Sequence, residues 1–175
     1  RMVELVEESP AIPGGRTVSD EETTTNEQTP TEKPVHKCGV VMPISAIADC
    51  SASHWGEVRE ILFDAITTAG FKPTLVSSAD DMGVIQKRIV QNLYENPIVV
   101  CDVSAQNPNV MFELGLRLAF DKATIIVIDD ETPYSLDTGQ IEHLSYPRDL
   151  RFPKIVEFKE TLTARIGATY KAAQE

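Results

Sequence analysis

CDVSAQNPNVMFELG, Cys101 to Gly115, joins the end of a short apolar run, IVVC, to a helix that opens at Asn107-Pro108-Asn109. Asn at a helix cap accepts a backbone N–H of the first turn. Pro at the first helical position gives up only an N–H that has no partner there. Two adjacent residues therefore set the start of this helix. A carboxylate, Glu113, follows within about two turns. Asp102 and Ser104 stand at the carboxyl end of the strand, where open parallel sheets hold their ligands. A carboxylate, a hydroxyl and two amides beside a helix N-terminus suit a sugar or a nucleotide.

Working outward, the same strand-to-helix step recurs. Upstream, Cys38 to Pro43 (CGVVMP) reads as a first strand. SHWGEVREILFDAITTAGF follows as a helix, with Trp55, Val58, Ile61, Leu62, Ala65 and Ile66 at helical spacing and Gly70 as its stop. KPTLVSS gives a second strand. DDMGVIQKRIVQNLYEN gives a second helix, with Asp80 or Asp81 as cap and Val84, Ile85, Ile89 and Leu93 on one side. PIVVCDV is the third strand and PNVMFELGLRLAFD the third helix. ATIIVIDDE is a continuous β-branched run of the kind buried on both faces. A short fifth strand is expected near Ile141 to Ser145. PKIVEFKETLTARIGATYKAA closes the chain as a helix, Pro153 opening it and Ile155, Phe158, Leu162 and Ile166 facing inward.

Alternation with short links predicts an α/β fold, a single doubly wound parallel sheet of four to five strands with helices on both faces. Over residues 37–175 this fits a flavodoxin-like sheet in the order 2-1-3-4-5. Its switch point, between strands one and three, places a crevice between the loop PISAIADCSAS and the loop SAQN. Residues 1–36 differ. SDEETTTNEQTPTEKP is nearly free of apolar side chains, and Pro10, Pro13, Pro30 and Pro34 recur. Such a segment buries too little surface to offset its ordering entropy and is expected to be a flexible acidic arm or linker. The run MVELVEE is its one stretch able to form a turn of helix. The sequence begins at Arg1 rather than Met, as expected of a piece of a longer chain.

The 175-residue chain is 42% hydrophobic and carries a net charge of −11. The first value suits a packed core, and the second disfavours coating of DNA or RNA, which needs a basic surface. Three cysteines, Cys38, Cys50 and Cys101, lack metal-type spacing, and Cys38 and Cys101 fall in strand-like runs as buried thiols. No stretch approaches the ~20 apolar residues of a membrane helix, and the first residues given do not show a charged segment followed by an apolar one. A cytoplasmic protein with no membrane partner is expected.

Several residues carry two readings. Glu113 is either one end of an exposed i, i+4 pair with Arg117 or a carboxylate aimed into the crevice. Asp102 either binds a ligand or caps backbone N–H groups of its own turn. Asn107 is first an N-cap, which leaves Asn109 freer for a ligand. Gly115 inside the helix fits close packing on the strand. His54 and His143 have no partner at metal-ligand spacing, and Asp129, Asp130 and Glu131 read as a solvated turn. Neither a GxGxxG nor a GxxxxGK[ST] phosphate loop occurs, and MPIS stands where a receiver domain has paired acids.

VVMPIS and CDVSAQNPNVMFELGLRLAFDKATIIVI together resemble the nucleoside 2-deoxyribosyltransferase-like group and the neighbouring bacterial Toll/interleukin-1 receptor (TIR)-like domains, many of which cleave NAD. The resemblance spans roughly Lys37 to Asp130. It implies that Glu113 is the catalytic carboxylate acting at the sugar C1′. It further implies that Asp102 binds substrate and that Met42, Pro43, Ile44 and Ser45 form the loop beside base and sugar; Ser104, Asn107 and Asn109 are expected to join them from their place at the helix N-terminus. Trp55 and Glu60 depart from the TIR tryptophan–glutamate spacing, and Asn107 and Asn109 stand where transferases often carry small residues. The chain thus resembles an uncharacterised or defence-associated branch. The expected activity is cleavage or transfer at an N-glycosidic bond, with NAD the first substrate and a nucleoside or deoxynucleotide the second. No metal and no cofactor is expected, and the protein is expected to be a homo-oligomer or part of a larger protein. The rival expectation is a non-catalytic nucleotide-sensing or TIR-type assembly module.

Overall fold

The computed structural model describes residues 35–77, 85–136 and 138–175. Residues 1–34 of the expected arm with its MVELVEE run, the cap at Asp80 or Asp81, and Val84 lie outside the described residues. Strands β1 (Lys37–Val41), β2 (Lys72–Leu75), β3 (Ile98–Asp102), β4 (Thr124–Asp129) and β5 (His143–Tyr146) alternate with helices α1 (Ala52–Thr68), α2 (Ile85–Glu95), α3 (Pro108–Ala119) and α4 (Phe152–Ala172). The strands form one sheet in the order β2-β1-β3-β4-β5, every neighbouring pair parallel. This is the doubly wound α/β arrangement that the alternation predicts.

Strand parity sorts the core into two layers. Cys38 and Val40, Ile98 and Val100, and Ile125 and Val127 pack with Trp55, Leu62 and Ile66 of α1 and Ile155, Phe158, Leu162 and Ile166 of α4. Val41, Val99 and Cys101, and Ile126 and Ile128, pack with Leu93 of α2 and Val110 and Leu114 of α3. The period of two along each strand makes this division, because successive side chains leave opposite faces. Gly39 sits where a Cβ would approach Asn96 Nδ2 to 3.0 Å and Val99 to 3.1 Å, so the α2–β3 link closes against β1 there.

Local signals place most element ends. Ser51 caps α1 by accepting the His54 N–H at 3.2 Å. After α1 the chain turns at Gly70, whose φ of +87° suits glycine. The amphipathic pattern on α2 is only partly realised: Leu93 is buried, whereas Ile85 is 59% exposed. Ile85 opens the helix at the mouth of a cleft, where no layer covers it. The cysteines are free and buried. No helix among the described residues is long and apolar enough to cross a membrane.

Candidate functional site

Asn107 caps α3 as the sequence requires, its Oδ1 accepting the Asn109 N–H at 2.9 Å and the Val110 N–H at 3.3 Å. Fixing that first turn fixes the direction of every later side chain on α3. Glu113 then faces a cleft of about 480 Å³ at the carboxyl ends of β1 and β3. Met42, Pro43, Ile44 and Ser45 line it from the loop after β1, and Asn107, Asn109 and Glu113 line it from α3. Ser77 and the α2 residues Ile85, Gln86, Ile89 and Val90 close the other side, with Phe112 at the rim. The topological switch point is where such a cleft belongs.

The structure thus brings together seven of the nine residues singled out in the sequence. Asp102 and Ser104 are not among them, since both are fully buried and neither lines the cleft. Parity is the reason. Asp102 follows Ile98 and Val100, whose side chains leave the sheet toward α1 and α4, while the cleft lies on the α2–α3 side. Its carboxylate is enclosed by its own surroundings. Oδ1 accepts the Ser104 N–H at 3.0 Å and the Ser104 hydroxyl at 2.5 Å, and Oδ2 accepts the Tyr146 hydroxyl at 2.8 Å. Ser104 Oγ also accepts the Asp129 N–H at 2.8 Å. Burial pushes the Asp102 carboxyl up to about 6 against these hydrogen bonds.

This network holds an unusual turn. Ala105 and Gln106 adopt φ of +55° and +47°, a left-handed backbone disfavoured for residues with a Cβ. The Ala105 N–H donates to Thr132 Oγ1 at 2.8 Å, and Gln106 Nε2 donates to the Pro133 carbonyl at 2.9 Å. The turn leads directly into the Asn107 cap, so its geometry is transmitted to α3. Asn109 is exposed, and its side-chain amide takes no part in the cap.

Glu113 has neither a hydrogen bond nor an ion pair among the described residues, and burial alone raises its carboxyl above the usual range. The alternative pairing with Arg117 is not made. Arg117 is fully buried and points the other way, donating to the carbonyls of Leu93 (2.5 Å), Asn96 (2.9 Å) and Ala123 (2.7 Å). Residues four apart on one helix are neighbours, but the fork of Arg117 finds several carbonyls where the exposed pair offers one carboxylate.

The turn expected to be solvated at Asp129 to Glu131 is partly buried. Asp129 is 1% exposed and paired with Arg148 at 3.0 Å, which holds its carboxyl below the usual range. Arg148 also reaches Asp49 at 2.9 Å and Glu131 at 3.1 Å. No acid-and-histidine cluster able to hold a metal occurs among the described residues. A cavity of similar size, about 470 Å³, lies along α2, from His36 and Lys37 at the start of β1 to Thr74 and Leu75 at the end of β2. Sequence reasoning missed Phe112, Gln86 and Ser77 as lining residues and Tyr146 and Arg148 as the groups that hold the loops. A parity count along β3 would have separated Asp102 from Glu113.

No family profile and no curated protein matches this chain. Among solved structures the chain is similar to the 2-desoxiribosyltransferase from Leishmania mexicana, with a TM-score of 0.41 and 16% sequence identity. The match covers 54% of this chain and 65% of that one.

Proposed function

We propose that the cleft cleaves or transfers at the N-glycosidic bond of a nucleoside-type substrate, with Glu113 acting at C1′. The observation that carries this reading is Glu113 itself: a half-buried carboxylate without a partner among the described residues, in a cleft at the switch point of the sheet. Breaking a C1′–N bond builds oxocarbenium-like positive charge on the sugar. A carboxylate in a partly dry cleft stabilises that charge, or bonds to C1′ when it is within reach. Asn109, exposed beside it, offers an amide to the sugar hydroxyls.

The cleft also bears on the substrate. No Lys or Arg side chain lines it among the described residues. Among the described residues a pyrophosphate thus meets no cation there, and the sequence holds no glycine-rich phosphate loop. This favours a nucleoside over NAD, reversing the order expected from the sequence.

The test is a panel of nucleosides, nucleotides and NAD incubated with the protein and read by mass spectrometry. Free base should appear from at least one nucleoside, and Glu113→Gln should lower the rate at least about a hundredfold with the fold intact. Activity should also fall as the pH drops through the raised Glu113 value, because only the anion acts. Equal rates for wild type and Glu113→Gln would remove Glu113 from the chemistry. Ligand binding without product would favour the sensing module instead.

A further inference from the structure

We infer that the cleft is built for a substrate whose leaving base carries a delocalised positive charge and which bears no phosphate: an N-ribosyl pyridinium or a ring-N-alkylated nucleoside. This rests on the reading of Glu113 given above and names the substrate class for that site.

Three features converge on it. The Glu113 carboxylate is drawn partly out of water with no counter-ion among the described residues. Such a charge is costly until a cation joins it, and a soft organic cation enters an apolar cleft at less desolvation cost than an ammonium ion. The other described lining side chains are uncharged, and several are apolar and exposed: Phe112 (66%), Ile44 (60%) and Ile85 (59%). An exposed aromatic ring lining the same cleft as a carboxylate attracts a flat cation by its quadrupole and by stacking. The protein's charge of −11 draws cations and repels phosphate esters at longer range.

The third feature is the chemistry of departure. A neutral base must gain a proton as its bond to C1′ breaks. Among the described lining residues the ionisable group is Glu113, which is engaged at C1′, while Ser45 and Ser77 hold their protons at neutral pH. A cationic base needs no proton. The C1′–N electron pair passes to the ring nitrogen, cancels its charge, and the base leaves neutral. A Glu113 oxygen forms the new bond to C1′. Water then displaces that oxygen, its second proton passing to solvent. Riboside cation and water become neutral base, ribose and one proton.

The experiment compares nicotinamide riboside, its near-isosteric neutral dihydro form, the 5′-phosphorylated riboside, adenosine and 2′-deoxyadenosine. Cleavage is read by mass spectrometry, and binding is read by calorimetry on wild type, Glu113→Gln and Phe112→Leu. The cationic riboside should show a kcat/KM at least about tenfold above every neutral nucleoside, and the added phosphate should lower it. Glu113→Gln should abolish cleavage and weaken binding of the cation about tenfold, leaving the dihydro form unaffected. Phe112→Leu, on an exposed side chain, should weaken the cation alone. Glu113-dependent cleavage of neutral nucleosides at equal or higher rate would overturn the charge preference while the Glu113 reading stands. Preferential binding of the cation with no cleavage would overturn the catalytic reading and keep the cation site. Neither binding nor cleavage would overturn both.

Discussion

Asp102 carries a carboxyl pushed up to about 6 from an ordinary 3.8 by its complete burial. The folded protein then holds the proton more tightly than the unfolded chain does. Stability from this group is present at low pH and is lost as the pH rises from the unfolded value through about 6, by an amount on the order of 3 kcal/mol. Asp102→Asn removes the titration. The stability of wild type relative to this variant should therefore fall between about pH 4 and about pH 7 in urea melts. A difference that stays constant over that range would show that the carboxyl does not titrate there. Glu113, on α3, has the same direction of shift but a different consequence. It is half-buried, so solvent moderates its contribution to stability, and its raised value is read in the pH dependence of activity.

At the scale of elements, α3 is fixed at both ends by side chains of its own segment. Asn107 closes its first turn, and Arg117 in its last turn ties α2, the link before β3 and the link before β4 together through their carbonyls. Nη1 takes Leu93 and Asn96, and Nη2 takes Ala123. Burial lowers the Arg117 value to about 10, which leaves it charged at neutral pH. Arg117→Met should cost about 3 kcal/mol in a urea unfolding curve, because several buried carbonyls lose their donor at once. Arg117→Lys should recover less than half of this, since one ammonium cannot reproduce the fork. A loss below about 1 kcal/mol for the Met variant would mean that water replaces the guanidinium.

Across the whole molecule, the loops at the carboxyl edge of the sheet are joined by one residue. Arg148, after β5, reaches Asp49 in the loop after β1, Asp129 at the end of β4, and Thr132 in the turn beyond it. Thr132 in turn accepts the Ala105 N–H, which links this cluster to the strained turn before α3. Arg148→Met should leave the buried Asp129 charge without its cation, costing about 3 kcal/mol at neutral pH. The hydrogen bonds from Thr132 and Glu131 to Asp129 Oδ1 remain. The penalty should shrink in acid, where the carboxyl takes a proton and needs no partner. A penalty independent of pH would assign the loss to packing rather than to charge.

The order and kind of the elements, the start of α3, the inward faces of α1 and α4, and the place of the crevice were all legible in the chain. They rest on caps, strand parity and helical spacing, which act over a few residues. Residues 42–45, Asn107, Asn109 and Glu113 meet because the alternation alone puts their two loops at one switch point. What Glu113 and Asp102 face was decided by tertiary packing. Arg117 leaves Glu113 because carbonyls from residues 93, 96 and 123 surround its fork. Asp102 is held from the far end of the sheet by Tyr146, 44 positions away. Arg148 meets Asp49 across 99 positions. Local preference has no hold over such distances: only the packed sheet brings those groups within hydrogen-bond reach, and the cost of leaving a buried charge unpaired then selects among the partners present.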